Sequence, residues 1–291
     1  MRLLLIGASG FIGRHIRARA TGFQVVTISR SQGAGDVCLD LAAAGPAEVA
    51  KLIDEEAPDA VVNCSGVTGG DPAEMVSGNV VAVANLVAAL AAVPVRLVHV
   101  GSAAEYGQVA PGNPITESTE PRPVGPYGVT KLAGTEIVRA AVSDAVVLRV
   151  FNPIGPGMPG STLPGRVAAR LRGRDAEVRV GSLAAHRDFV DVRDVADAVL
   201  AAAGCAGPLP PVLNVGSGRA TPLREVVTAL SEIAGPGSRI VEDTAGGSAR
   251  SAGVPWQQAD ISAIGRALGW APTTDLTASL RDLWKDTACL A

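Results

Sequence analysis

Tyr127 and Lys131 stand four residues apart, and Ser102 lies upstream of them. Residues four apart on a helix point to one side, so a phenol and an ammonium share a face there. A free phenol titrates at about 10. A neighbouring ammonium favours the phenolate and brings that value down. Such a pair can give a proton to a carbonyl oxygen as hydride reaches its carbon, or take one back in reverse. A hydroxyl at Ser102 can hydrogen-bond the same oxygen. Ser102, Tyr127 and Lys131 are therefore the candidate catalytic residues.

Hydride needs a carrier, and the first residues read as its cradle. The apolar run Leu3–Ile6 leads into Gly7-Ala8-Ser9-Gly10-Phe11-Ile12-Gly13. Glycines permit a tight turn and let backbone approach a pyrophosphate, and a helix N-terminus adds free N–H groups and partial positive charge. The strand–turn–helix context is what gives the motif its meaning. Candidate cofactor residues are Gly7, Ser9, Gly10, Phe11, Ile12 and Gly13 here, and Ser29 and Arg30 after the second strand. Asp40 and Leu41 follow a short third strand, and Cys64, Ser65 and Gly66 end the fourth. Tyr127 and Lys131 complete the set. NAD sites usually place an acid after the second strand for the ribose 2′-hydroxyl. Ser29-Arg30-Ser31 has none, and Arg30 can pair with a 2′-phosphate. NADP(H) is expected, with NAD(H) as the alternative.

These residues need a frame that brings strand ends together. Leu3–Ile6, Val25–Ile28, Ala60–Val62, Leu97–Val100 and Val146–Val150 read as buried strands. Phe11–Ala20, Pro46–Glu56, Asp71–Ala92 and Pro126–Val142 read as the helices between them. Alternating elements with near-continuously apolar strands imply an α/β fold, a Rossmann-type doubly wound parallel sheet covered on both faces. Ligands bind beyond the carboxyl ends of such strands, where all the motifs fall. We expect a dinucleotide-binding domain over 1–151, with 188–216 returning to it. Residues 152–187 and 217–291 should form a smaller C-terminal substrate-binding lobe. Along the second half, 152–165 reads as an ordered Gly/Pro loop, Val192–Ala203 as a helix and Val212–Val215 as a strand returning to the main sheet. Pro222–Ala234 and Asp275–Trp284 read as lobe helices, with Trp256, Trp270 and Trp284 packing the lobe.

Composition narrows the function. Lys and Arg total 25 against 28 Asp and Glu, a net charge of −3 that gives no basic surplus for nucleic acid. Cys38, Cys64, Cys205 and Cys289 are far apart, so neither a metal site nor a disulfide framework is expected, and a reducing cytoplasm fits. The N-terminal apolar run is too short for a signal peptide. Val80–Val100 is interrupted by Asn85 and Pro94, and reads as a buried helix and strand, not a membrane span.

Further motifs carry a resemblance. They are Asn63–Gly66, Asn79, Ser102 with Tyr106-Gly107, Tyr127–Lys131, Asn152-Pro153-Ile154-Gly155-Pro156-Gly157, Arg187-Asp188-Phe189-Val190-Asp191-Val192-Arg193-Asp194 and Leu268-Gly269-Trp270-Ala271-Pro272. With the glycine turn, they make the chain resemble the extended short-chain dehydrogenase/reductases (the NAD-dependent epimerase/dehydratase family) that act on nucleotide sugars. The segment Val100–Val109 is similar to that of GDP-4-keto-6-deoxy-mannose reductases. Where the 4,6-dehydratases carry an acidic pair, Ala103 and Ala104 stand, and Glu105 comes one residue too late. The resemblance thus implies reduction of a keto group, at C4 of a nucleoside-diphosphate 4-keto-6-deoxyhexose, by NADPH. An NAD-dependent 4-epimerase is the alternative, and a non-catalytic NADP(H)-binding sensor a second one. It also implies that Asn79 adjoins the cofactor, and that the chain forms a homodimer through Val80–Ala92 and Gly128–Val142. The substrate set it implies is Thr68, Ser102, Ala103, Tyr127, Asn152, Arg187 and Arg250. A diphosphate calls for Arg or backbone N–H groups. Arg166, Arg170, Arg172 and Arg174 read equally as a helper cluster or a solvated face.

Overall fold

The structure is a computed structural model, which describes residues 1–91, 93–243 and 253–286 of the chain. Its main sheet contains β1 (Arg2–Ile6), β2 (Gln24–Ser29), β3 (Val37–Cys38), β4 (Ala60–Asn63), β5 (Arg96–Ser102), β6 (Ala145–Val150) and β10 (Val212–Val215). The order is β10-β6-β5-β4-β1-β2-β3, with every neighbouring pair parallel. Chain order reverses direction between β1 and β4, which opens a crevice at their carboxyl ends.

Successive side chains alternate between the two faces. Leu3 and Leu5 pack under α1 (Phe11–Arg19) and α7 (Val192–Gly204). Leu4 and Ile6 pack under α2 (Pro46–Glu56), α4 (Ala82–Leu90) and α5 (Pro126–Ala141). Burial on both sides is why these strands are apolar runs. Before α4 come α3 (Pro72–Val76) and a π-helical turn, Ser77–Val81, in one continuous helix. That helix, Pro72–Leu90, is long and apolar enough to cross a bilayer. In the fold, its Val83, Leu86, Val87 and Leu90 are buried in the core.

The smaller lobe pairs β9 (His186–Asp191) with β7 (Asn152–Ile154) and β11 (Ala220–Pro222), and β8 (Glu177–Val180) with β12 (Arg239–Glu242). Its core lies among α6 (Leu163–Arg172), α8 (Leu223–Ala234) and α10 (Leu276–Asp286). Three details differ from the sequence reading. The stretch 152–165 is not all loop, since it holds β7 and the start of α6. The return to the main sheet is made by α7 and β10, because β9 pairs in the small sheet. Trp270 packs in the main core beside Ile264 of α9 (Ser262–Leu268), not in the lobe.

Candidate active site

The phosphate turn is built by close approach. Gly7 has φ +84°, a region L side chains avoid. A Cβ on it would lie 2.7 Å from Ser65 N, and one on Gly13 would lie 2.1 Å from Gly7 O. Gly13 therefore packs α1 against the turn and is in neither cavity wall. Gly10 caps α1 with no side-chain hydrogen bond, so first-turn amides stay open for an anion. Beside them lies a cavity of about 700 Å³, whose wall includes Gly7, Ser9, Ser29, Arg30, Asp40 and Leu41. Asn85 donates to Leu41 O and Ala44 O, both at 2.8 Å, and so pins that loop. Arg30 is exposed and makes no ion pair among the described residues. A glycine cradle, open amides and an unpaired cation after β2 fit a dinucleotide bearing a 2′-phosphate.

Gly10, Cys64, Ser65 and Gly66 border this cavity and a larger one of about 1190 Å³, which Phe11 and Ile12 also line. Ser65 is held by Asn63 Oδ1, which accepts from its amide and hydroxyl. The Cys64 thiol donates to Ile6 O, and burial pushes it up to about 12, so it stays protonated. Asn79 has a structural role among its neighbours. Its Oδ1 accepts from Val67 N, and its Nδ2 donates to Val67 O and Thr130 Oγ1. It fastens the loop after β4 to α5 and is in neither cavity wall.

Ser102, Tyr127 and Lys131 meet on the wall of the larger cavity. Ser102 ends β5, and the other two lie on the first turns of α5. Lys131 is almost wholly buried and donates to Val100 O at 2.7 Å. Burial pulls its ammonium below the usual range, while the Glu105 carboxylate draws it back up. Glu105 is fully buried. Its Oε1 accepts from Ser102 N at 2.8 Å, and its Oε2 from Arg149 Nε at 2.7 Å and Thr135 Oγ1 at 3.0 Å. One carboxylate thus joins the end of β5, α5 and β6. Arg149 also lies 4.5 Å from the centre of the Tyr106 ring. Tyr106 donates to Asn214 Oδ1, and burial pushes its phenol up to about 12. Sequence reasoning missed this network, although one arginine inside an apolar strand was its signal.

Thr68, Ala103, Asn152 and Arg187 line the same cavity. Arg250 lies outside the described residues. Arg187 is buried, donates to His186 O at 2.8 Å and has no ion-pair partner among the described residues. Desolvation lowers its guanidinium to about 10, which leaves it charged at neutral pH. Arg166 also lines the cavity, whereas Arg172 stacks on Trp284. Asn152 was expected to reach a phosphate or sugar. Its Nδ2 donates to Asp188 O at 2.9 Å and Gln257 Oε1 at 3.1 Å, so both N–H bonds are engaged. Gln257, Phe189, Met158 and Leu223 line the cavity too; Phe189 lies in the Arg187–Asp194 motif, and nothing in the sequence setting of the other three marked them.

The profile of the NAD dependent epimerase/dehydratase family matches residues 3–216. The chain is 39% identical to the dTDP-6-deoxy-L-talose 4-dehydrogenase (NAD(P)+) of Kitasatospora kifunensis, over 97% of this chain and 94% of that protein. It is 31% identical to a GDP-6-deoxy-D-mannose reductase of Pseudomonas aeruginosa, over 98% and 96%. RMD from Pseudomonas aeruginosa, solved as a complex with NADPH, superposes with a TM-score of 0.86 at 30% identity, covering 100% of this chain and 99% of that one. On its glycine turn, its Ser–Tyr–Lys wall and these matches, the chain belongs to the NAD-dependent epimerase/dehydratase family.

Proposed function

We propose that the chain reduces the C4 keto group of a nucleoside-diphosphate 4-keto-6-deoxyhexose with NADPH. The observation that carries this is one cavity holding both chemistries: Ser102, Tyr127 and Lys131 on its wall, and the buried, unpaired guanidinium of Arg187 in the same space. A bound nicotinamide supplies hydride. Tyr127 gives its proton to the carbonyl oxygen, Ser102 hydrogen-bonds that oxygen, and the Lys131 ammonium stabilises the phenolate left behind. Arg187 takes the diphosphate, because a desolvated cation gains most from an anion that completes its donors. Ala103 and Ala104 place no acid where a dehydration would need one, and Glu105 is held in its ion pair. The names of the two relatives, a 4-dehydrogenase and a reductase of 6-deoxy sugars, support this reading.

The test is a panel of nucleotide sugars scored for NADPH oxidation, with NADH alongside. Turnover of 4-keto-6-deoxy substrates with NADPH ahead of NADH is expected. Interconversion of two sugars without net oxidation would point to the epimerase and sink the proposal. With the best substrate, Arg187→Met is expected to raise KM by roughly ten- to a hundredfold, the worth of a charge-assisted contact, with little change in NADPH affinity. An unchanged KM would remove Arg187 from substrate binding.

The same reading extends to a homodimer. Three of the five large exposed apolar side chains among the described residues, Val76, Val81 and Val129, sit on the Pro72–Leu90 helix and its neighbour α5. A second copy would cover them. Light scattering should give twice the chain mass, and a monomer at working concentrations would exclude it.

A further inference from the structure

We propose that Gln257 is a substrate-recognition residue whose amide Nε2 donates to an oxygen of the substrate's diphosphate, beside Arg187. The inference rests on reading the larger cavity as a nucleotide-sugar site. Its geometry starts at Asn152. The Nδ2 of Asn152 lies 2.9 Å from Asp188 O, and a backbone carbonyl can only accept, so the nitrogen must face it. The second Nδ2 hydrogen then goes to Gln257 Oε1 at 3.1 Å. This fixes which way round Gln257 sits, with its oxygen toward Asn152 and its nitrogen away. Gln257 is 7% exposed and lines the cavity. Its Nε2 has no hydrogen-bond partner among the described residues. The Nε2 is not among the fully buried unpartnered atoms, so it meets the solvent of the cavity, where a ligand oxygen can take the place of water.

The surroundings select the ligand atom. Gln257 N donates to His186 O at 3.1 Å, and Arg187 Nη1 donates to the same oxygen at 2.8 Å. Amide and guanidinium therefore lie on one stretch of wall. The adjacent carboxylate, Asp188, is engaged elsewhere, accepting from Ser217, Gly218 and Ala259. Donors and a positive charge, with no carboxylate in the lining among the described residues, fit an anionic oxygen. Asn152 thus acts through its neighbour: by occupying the oxygen of Gln257 it turns the nitrogen outward.

The test measures binding of dTDP, GDP and the nucleosides thymidine and guanosine by calorimetry, in wild type, Gln257→Leu and Gln257→Glu. The Glu variant keeps an acceptor for Asn152 but replaces the donor by a negative charge, so it separates lost packing from lost recognition. Gln257→Leu should bind the better diphosphate roughly tenfold more weakly, and Gln257→Glu more weakly still. Nucleoside and NADPH affinities should hold in both, the latter confirming the fold. Equal diphosphate affinities in wild type and both variants would overturn this inference alone, and so would an equal loss for nucleosides. Failure of the wild type to bind any nucleoside diphosphate would overturn the reading of the cavity as well.

Discussion

Replacing Tyr127 by Phe is expected to lower kcat by roughly 10²- to 10⁴-fold, the usual worth of a positioned proton donor. The substitution removes one oxygen and leaves the ring on α5. Lys131 keeps its bond to Val100 O, and the phosphate turn lies on other elements. NADPH affinity, followed by nicotinamide fluorescence, should therefore stay close to that of the wild type. Full activity in the Phe variant would take Tyr127 out of the mechanism, and loss of cofactor affinity along with activity would make its role structural.

The largest effect on stability is expected at Glu105. Its side chain and that of Arg149 are 0% and 2% exposed. Removing one member of a buried pair leaves the other charge without compensation, which costs about 3–5 kcal/mol. Glu105→Leu should lose stability of that order in urea unfolding. Glu105→Gln, which keeps an acceptor for Ser102 N, should lose less. The double change Glu105→Leu with Arg149→Met should recover much of the loss, because two apolar groups of similar size need no ion partner. A single variant as stable as the wild type would show that the pair carries no net weight.

The main sheet was readable because strands buried on both faces must be apolar throughout, as Leu3–Ile6 and Ala60–Val62 are. Tyr127 and Lys131 were readable because helical spacing alone puts them on one side. Short strands of the lobe gave little to read: β7 has three residues, one of them Pro153. The positioning groups were harder still. Glu105 meets Arg149 across 44 positions, and Asn152 meets Gln257 across 105. Their pairing follows from the order of strands and the path of the late chain, which no local pattern encodes. Asn79 was found by resemblance, yet its amide fastens backbone, a role that only the partners reveal.

The path of the late chain bears on how such a protein can be re-engineered. Because β10 pairs with β6, and Ile264 and Trp270 fill the core under the sheet, the C-terminal half supplies parts of both lobes. Cutting the chain after β6 would expose an unpaired strand edge lined by Val147 and Leu148. The smaller lobe is interwoven in sequence with the main-sheet half, so a replacement for it has to be transplanted as separate patches rather than joined on as a cassette.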